Sequence, residues 1–526
     1  MDGTRLQGSR TQPQIAESTR QTLLGASRAL QGLQRGVEKE SLRVTQSGAL
    51  SQRPHPQALG SPLTHGAITT DFSEAQLELI TAVHPSPEAC LQELTDIHRF
   101  VYANLQDELL WPSSMPCILG EDDSIPVGQY GPSNIGQAKT VYRLGLGLRY
   151  GRLMQTISGI HYNFSIPDNL WMALGITTQD QRTDRYFGLI RNFRRWSWLL
   201  IYLFGASPAV CRSFTRHLDH QLESFDDGSQ YLPYATSLRM GPLGYQSNAQ
   251  STLEISYNSL AQYTDSMVTA LTQEYPDYVA KGTKQHDVYQ QLNTTVLQIE
   301  NEFYGTIRPK RSTESNERPV AALRKYGVEY VEVRCLDLNP FSPVGLDETQ
   351  MRFLDTFLIV CLLATSEPDS PEEFSQLAQN QLAVVERGRD PDLLLHTDNE
   401  QPLSLKRWGS VLLDECASIA HLLDLSEETN LYSLATQQQR EKLDDAELTP
   451  SAQVLASMRH NRMPFFRFSM NHALAHQQFF ETLPLTAAEQ SRFELSVAQS
   501  FQDQSAIEAA DQLDFDGFLK QYLALT

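Results

Sequence analysis

The chain is 526 residues long, 40% apolar, 20% charged and 9% aromatic, with a formal net charge of −21 at pH 7. Those proportions exclude a disordered, collagenous or disulfide-scaffold chain, and the length buries a large core without disulfide or metal staples. The acidic balance argues against nonspecific nucleic-acid or anionic-membrane binding, which needs basic patches.

In chain order, MDGTRLQGSRTQPQ has no apolar secretory core, and residues 1–20 read as a disordered tail. The spacing of Leu23, Leu24, Leu30 and Leu33 predicts a helix from about Glu17 to Arg35, ended by Gly36 where a strand-like run begins. Residues 21–345 mix short alternating runs with helices and read as a catalytic core. Its most apolar run, WSWLLIYLFGASPAV from Trp196, falls short of the ~20 residues a membrane span needs and is broken by Gly205 and Pro208. From 346 to 526 the pattern is mostly helical, which predicts a helical C-terminal part packed on the core, and Gly388 reads as a helix C-cap. Cys90, Cys117, Cys211, Cys335, Cys361 and Cys416 are scattered without a CxxC pair, as expected of core thiols in a reducing compartment. No GxxxxGK[ST] loop, GxSxG elbow or HExxH pair is present, and the glycines of Gly145-Leu146-Gly147 are wrongly spaced for a dinucleotide fingerprint.

Four strand-like segments carry the chemistry. In GVEKESLRV, Glu38 and Glu40 share a face, with Val37 and Lys39 on the other. In TTDFSEAQLELIT, Asp71 follows two threonines and Glu78 sits inside an apolar run, where a lone carboxylate is costly. In ISGIHYNFS, His161 and Asn163 lie opposite Ile160, Tyr162 and Phe164, and in GVEYVEVRCLDLNPF, Glu332 and Arg334 share a face. Singly, each pattern is met more often in an ordinary edge strand or core histidine. Together they predict one sheet face with five carboxylates, an imidazole and an arginine. Carboxylates so gathered need cations, and Mg²⁺ with substrate phosphates suits oxygen ligands. An adjacent arginine suits a transferring phosphoryl group, so the residues alone point to a Mg²⁺- and ATP-dependent enzyme on an antiparallel sheet.

The strings QRGVEKESLRV, ALGSPLTHGAITTDFSEAQLELIT, RYGRLMQTISGIHYNFS, YLPYATSLRMGPLGY, VLQIENEFYGTIRPKR and YVEVRCLDLNPFSPVG closely resemble the bacterial glutamate–cysteine ligase family of gamma-proteobacterial type. The resemblance is dense from about Gln31 to Gly388 and thinner beyond; the first ~20 residues and about Asp265–Gln291 do not match. It implies an α+β fold: a curved antiparallel sheet forming a glutamine-synthetase-like partial barrel, surrounded by helices. The implied activity is ATP-driven joining of the γ-carboxyl of L-glutamate to the amine of L-cysteine through γ-glutamyl phosphate, the first step of glutathione biosynthesis. Carried over by matching strings, the metal ligands are Glu38, Glu40, Asp71, Glu78, His161 and Glu332, for Mg²⁺ or alternatively Mn²⁺. Arg334, with Glu38 and Glu332, is the implied catalytic set, and Arg334 matches the arginine on the γ-phosphate. Arg239 matches a group for the cysteine carboxylate; Tyr245, Tyr304 and Phe72 match acceptor-pocket positions, with Gln155 and Asn163 as further substrate-binding candidates. Arg308, Lys310 and Arg311 are phosphate candidates. The implied protein is a cytoplasmic monomer using small molecules, with glutathione a candidate inhibitor and neither nucleic acid nor membrane as partner. The rival readings are a carboxylate–amine ligase with another acceptor amine and a non-catalytic metal- or glutathione-binding regulator; a second ligase activity adding glycine would need a further ATP-binding domain.

Overall fold

A computed structural model describes residues 10–525 apart from 27, 117, 245–248, 251–252, 314–316 and 399–400. Its centre is a seven-stranded sheet whose strands, in chain order, are β1 (Gln34–Val44), β2 (Ile68–Thr70), β3 (Gln76–Ile80), β4 (Leu109–Leu110), β5 (Ile160–Ser165), β6 (Ile307–Lys310) and β7 (Tyr330–Leu336). They run β6-β7-β5-β1-β3-β2, with β4 paired to the end of β1, and every pairing is antiparallel. The sheet is open, as a partial barrel is, rather than closed.

Alternation divides the faces. Val37, Leu77, Leu79, Ile160, Tyr162, Phe164, Val331 and Val333 all enter one apolar core. Three helices are packed against that side: Pro87–Asn104, Gln179–Trp196 and Glu348–Leu363. Their starts follow from local chemistry: Ser86 accepts from the Ala89 N–H ahead of Pro87, Thr178 forms a capping box with Gln181, and Asp347 accepts from the Gln350 N–H. Within the core Arg35 of β1 pairs with Asp355 at 2.9 Å, and the Tyr162 hydroxyl donates to the same carboxylate at 2.7 Å. Lys39 also faces inward; its ammonium lies 2.9 Å from His98 Nε2, and burial pushes it down to about 7.

Two details differ from the sequence expectations. The first helix spans Glu17–Gly25, not Glu17–Arg35: Gly25 ends it and Gly32, at φ +83°, turns the chain into β1. Leu30 and Leu33 are buried as expected, but from a turn, and Gly36 lies inside β1. The stretch expected as a tail contains ordered contacts from Arg10 onward, since Trp196 and Trp408 donate to the Arg10 and Thr11 carbonyls at 2.9 and 2.7 Å. The helix Glu348–Leu363, near the start of the helical C-terminal part, packs in the core beneath the sheet. The apolar run from Trp196 becomes the buried helix Trp198–Phe204, and no described helix is long and apolar enough to cross a membrane. Gly388 is the C-cap of the helix Pro371–Arg387. Five cysteines are free and buried, and Cys117 lies outside the described residues.

Candidate active site

The face opposite the core gathers the acids. On β1, Glu40 stands opposite Glu78 of β3, and Glu38 opposite His161 of β5. Glu332 of β7 stands opposite Asn163, and Asp71 follows directly on β2. Ligand atoms of Glu38, Glu78 and His161 lie within 4.8 Å of one another, as do those of Glu40, Asp71 and Glu78, so Glu78 belongs to both triads.

Hydrogen bonds hold these groups in place. His161 Nδ1 lies 3.0 Å from Glu38 Oε2, and the Asn163 amide donates to Glu38 Oε1 at 2.8 Å. The Gly159 N–H donates to Glu40 Oε2 at 2.7 Å. With its proton on Nδ1, His161 turns a lone pair at Nε2 toward Glu40, 3.6 Å away. Nε2 is buried and has no hydrogen-bond partner among the described residues. An orphaned imidazole nitrogen among carboxylates is the donor set a divalent cation completes.

The electrostatics are uneven. Burial, with the Asp71 carboxylate next, pushes Glu40 up to about 8. Burial and the neighbouring Glu38, Asp71 and Glu40 raise Glu78 well above the usual carboxylate range. Burial also opposes ionisation of Glu38 and Glu332, but the His161 hydrogen bond holds Glu38 low, and Lys310 and Arg334 hold Glu332 lower still. Burial and Arg334 together push His161 below the ordinary histidine value. Without metal, the surroundings therefore favour the protonated carboxyl on the β3 side of the face and the charged one on the β7 side.

On that β7 side Glu332 lies 3.1 Å from Lys310, 3.1 Å from Arg334 and 3.9 Å from Arg308. Arg308 is buried and also donates to the carbonyls of Asn301 and Phe303. Arg311 lies past the end of β6 and pairs with Glu329 at 3.7 Å, apart from Glu332. Beyond Arg334 a cavity of about 550 Å³ opens, lined among others by Arg239, Tyr304, Trp198 and Phe374. Gln155 donates to the Tyr304 hydroxyl at 3.0 Å. Phe72 is fully buried in an apolar cluster with Leu146 and Ile157, so it backs the site from within. Tyr245 lies outside the described residues.

Two groups escaped the sequence reading. Arg143, from the helix Asn134–Tyr150, donates to the Asp71 carbonyl and stacks 4.4 Å over the Tyr130 ring. Its only sequence signal is a basic residue four positions after Lys139, which marks any amphipathic helix equally well. Gly159 is the other: a Cβ there would lie 2.0 Å from Arg239 Nη2, so any larger residue would push the guanidinium from this position.

A family model of glutamate–cysteine ligases matches residues 22–384. The chain belongs to the glutamate–cysteine ligase family. A glutamate–cysteine ligase of Pseudomonas putida (strain W619) is 50% identical over 512 residues, covering 96% of this chain and 97% of its own. That of Pseudomonas fluorescens (strain Pf0-1) is 51% identical over 495 residues, 93% of each chain. Among solved structures, a glutamate–cysteine ligase of Francisella tularensis in complex with AMP superposes with a TM-score of 0.89 at 36% identity, covering 94% of this chain and 97% of that one. A bifunctional glutathione synthetase of Pasteurella multocida shares the fold at a TM-score of 0.68 and 23% identity, with 96% of this chain matched to 60% of that one. Membership assigns this ligase its reaction: ATP-driven joining of glutamate and cysteine to give γ-glutamylcysteine.

Proposed function

We propose that the acid face and its cationic β7 side divide the two steps of this ligation between them. The observation that carries this reading is the pair of acid triads sharing Glu78, beside a histidine nitrogen that has no hydrogen-bond partner among the described residues. Glu38, Glu40, Asp71, Glu78 and His161, joined by Glu332, would hold Mg²⁺ (alternatively Mn²⁺). When bound, the cations neutralise the triphosphate and stabilise charge on the transferring phosphoryl group.

A carboxylate is a poor electrophile because oxide does not leave. In the first step an oxygen of the glutamate γ-carboxylate attacks the γ-phosphorus of ATP and the bond to ADP breaks. Arg334 contacts the equatorial oxygens through its planar fork, with Lys310 and Arg308 adding charge. All three lie against Glu332 before substrate arrives, so little reorganisation is needed to turn them onto phosphate. In the second step the cysteine amine attacks the acyl carbon of γ-glutamyl phosphate. The C–O bond breaks, and phosphate and one proton leave. We assign Arg239 to the cysteine carboxylate, and Tyr304, Gln155 and Tyr245 to the pocket around the side chain, with Phe72 behind it. Asn163 orients Glu38. Arg311, paired with Glu329 rather than Glu332, is the remaining phosphate candidate. The same reading makes the protein a cytoplasmic enzyme that acts as a monomer.

The test is ADP release with ATP, Mg²⁺ and glutamate while the acceptor amine is varied. Cysteine is expected to give the highest rate at equal concentration. A higher rate with glycine or ammonia would replace the cysteine assignment with a ligase of another acceptor.

A further inference from the structure

Arg239 lies in the short turn Leu238–Met240, and its guanidinium is buried. It lies against Gly159, where a Cβ would lie 2.6 Å from its Cζ, and donates from Nη2 to the Arg334 carbonyl at 2.9 Å. Behind it stands Asp337, just past the end of β7, with Oδ1 3.8 Å from Arg239 Nη1. That carboxylate is itself sealed from solvent. The Ala206 N–H donates to Oδ2 at 2.8 Å, the Ser207 hydroxyl donates to Oδ2, and the Ser237 hydroxyl donates to Oδ1 at 2.9 Å. One carboxylate thus ties together the bridged segments at Ser207 and Ser237 and the end of the strand that carries Glu332 and Arg334. Nothing in the ligation chemistry uses Asp337 directly. A buried anion with three fixed donors has only one energetically sensible site left to serve, the adjacent guanidinium.

We infer that Asp337 is the positioning residue for Arg239, fixing where the guanidinium presents its outer face to the carboxylate of the acceptor amino acid. Without it, Arg239 keeps its charge and its hydrogen bonds to the Arg334 carbonyl and to Met240 Sδ, but loses the buried carboxylate that faces Nη1. The effect belongs to substrate affinity, because Asp337 touches no reacting atom. The inference rests on the assignment of Arg239 to the cysteine carboxylate made above.

Steady-state kinetics of Asp337→Asn, Arg239→Lys and the double variant, each substrate varied in turn, test it. Asp337→Asn is expected to raise KM for cysteine about tenfold while kcat and KM for ATP change less than about twofold, the signature of lost uniform binding. Arg239→Lys is expected to move the same KM. The double variant is expected to be no worse than Arg239→Lys, since residues acting as one unit are not additive. A purely structural Asp337 would lower Tm and the active fraction with every KM unchanged, which overturns the inference. So does full additivity, or a shift in the KM of a different substrate from the one Arg239→Lys affects. If both variants move KM for glutamate instead, the acceptor assignment of Arg239 fails while the role of Asp337 stands. Should Asp337→Asn not fold, Ser237→Ala removes one donor to the carboxylate and is expected to raise the same KM about threefold; an unchanged KM there overturns the inference.

Discussion

Glu78 and Glu332 sit on one sheet face but in opposite surroundings. Glu78 is ringed by Glu38, Asp71 and Glu40, whereas Glu332 is ringed by Lys310, Arg334 and Arg308. Neutralising each should therefore act with opposite sign on the metal-free protein. Glu78→Gln relieves repulsion, so its metal-free Tm is expected to equal or exceed wild type, while its stabilisation by Mg²⁺-ATP shrinks with lost occupancy. Glu332→Gln leaves three cations without their anion, so its metal-free Tm is expected to fall; breaking a buried pair costs about 3–5 kcal/mol. Thermal melts with and without Mg²⁺-ATP check both, and equal shifts in the two variants would contradict the division of the face. Arg334→Lys is expected to lower kcat by about a hundredfold or more, since lysine keeps the charge but not the fork. A kcat near wild type would remove Arg334 from the phosphoryl contacts. At this scale the acids were readable in advance because period-two alternation sets Glu38 and Glu40 on one face. The Arg239 seat was not, because it joins residues 159, 206, 207, 237 and 337, which no local pattern connects.

The elements show where local pattern reaches its limit. β1 was readable from GVEKESLRV, down to Lys39 pointing inward. What alternation could not show is that His98, from the helix Pro87–Asn104, would meet that ammonium. The first helix was overextended because Leu30 and Leu33 keep helical spacing while sitting in a turn, and the breaks at Gly25 and Gly32 outweighed it. The order of strands was not accessible either: β5 separates β1 from β7 although nearly 300 residues lie between the latter two in sequence. One buried junction joins the sheet to its core helices, the Arg35–Asp355 pair with Tyr162. Asp355→Ala strands the Arg35 guanidinium between β1 and the helix Glu348–Leu363. A loss of about 3–5 kcal/mol is expected in urea unfolding. A loss below about 1 kcal/mol, the range of exposed pairs, would show that the junction is solvated.

Over the whole molecule, buried histidines held below their ordinary value weaken the fold as pH falls. Burial, with Arg43 and His65 adding to it, pushes His55 down to about 3, and burial together with Lys39 and His472 does the same to His476. An unfolded histidine takes up its proton near pH 6.5. Between about pH 6.5 and pH 3 the unfolded chain therefore binds more protons than the folded one, and stability rises with pH across that window. It is lost as pH falls, by up to about 1.4 kcal/mol per pH unit for each histidine. Urea midpoints at pH 7 and pH 5 are expected to fall with acid, and His476→Gln is expected to flatten the difference. An unchanged slope would mean that His476 is protonated in the fold.

In the proposed reaction the glutamate γ-carboxylate is activated by phosphoryl transfer on the acid face before cysteine attacks. Oxygen transfer tests it most directly. Glutamate labelled with ¹⁸O in its γ-carboxylate is turned over with ATP, Mg²⁺ and cysteine, and the released phosphate is weighed by mass spectrometry. The attacking carboxylate oxygen stays on phosphorus when the acyl C–O bond breaks, so one labelled oxygen is expected in each phosphate, in step with γ-glutamylcysteine formed. Unlabelled phosphate would mean that ATP is hydrolysed by water, and label in AMP with release of pyrophosphate would mean activation at the α-phosphorus; either result contradicts a γ-glutamyl phosphate intermediate.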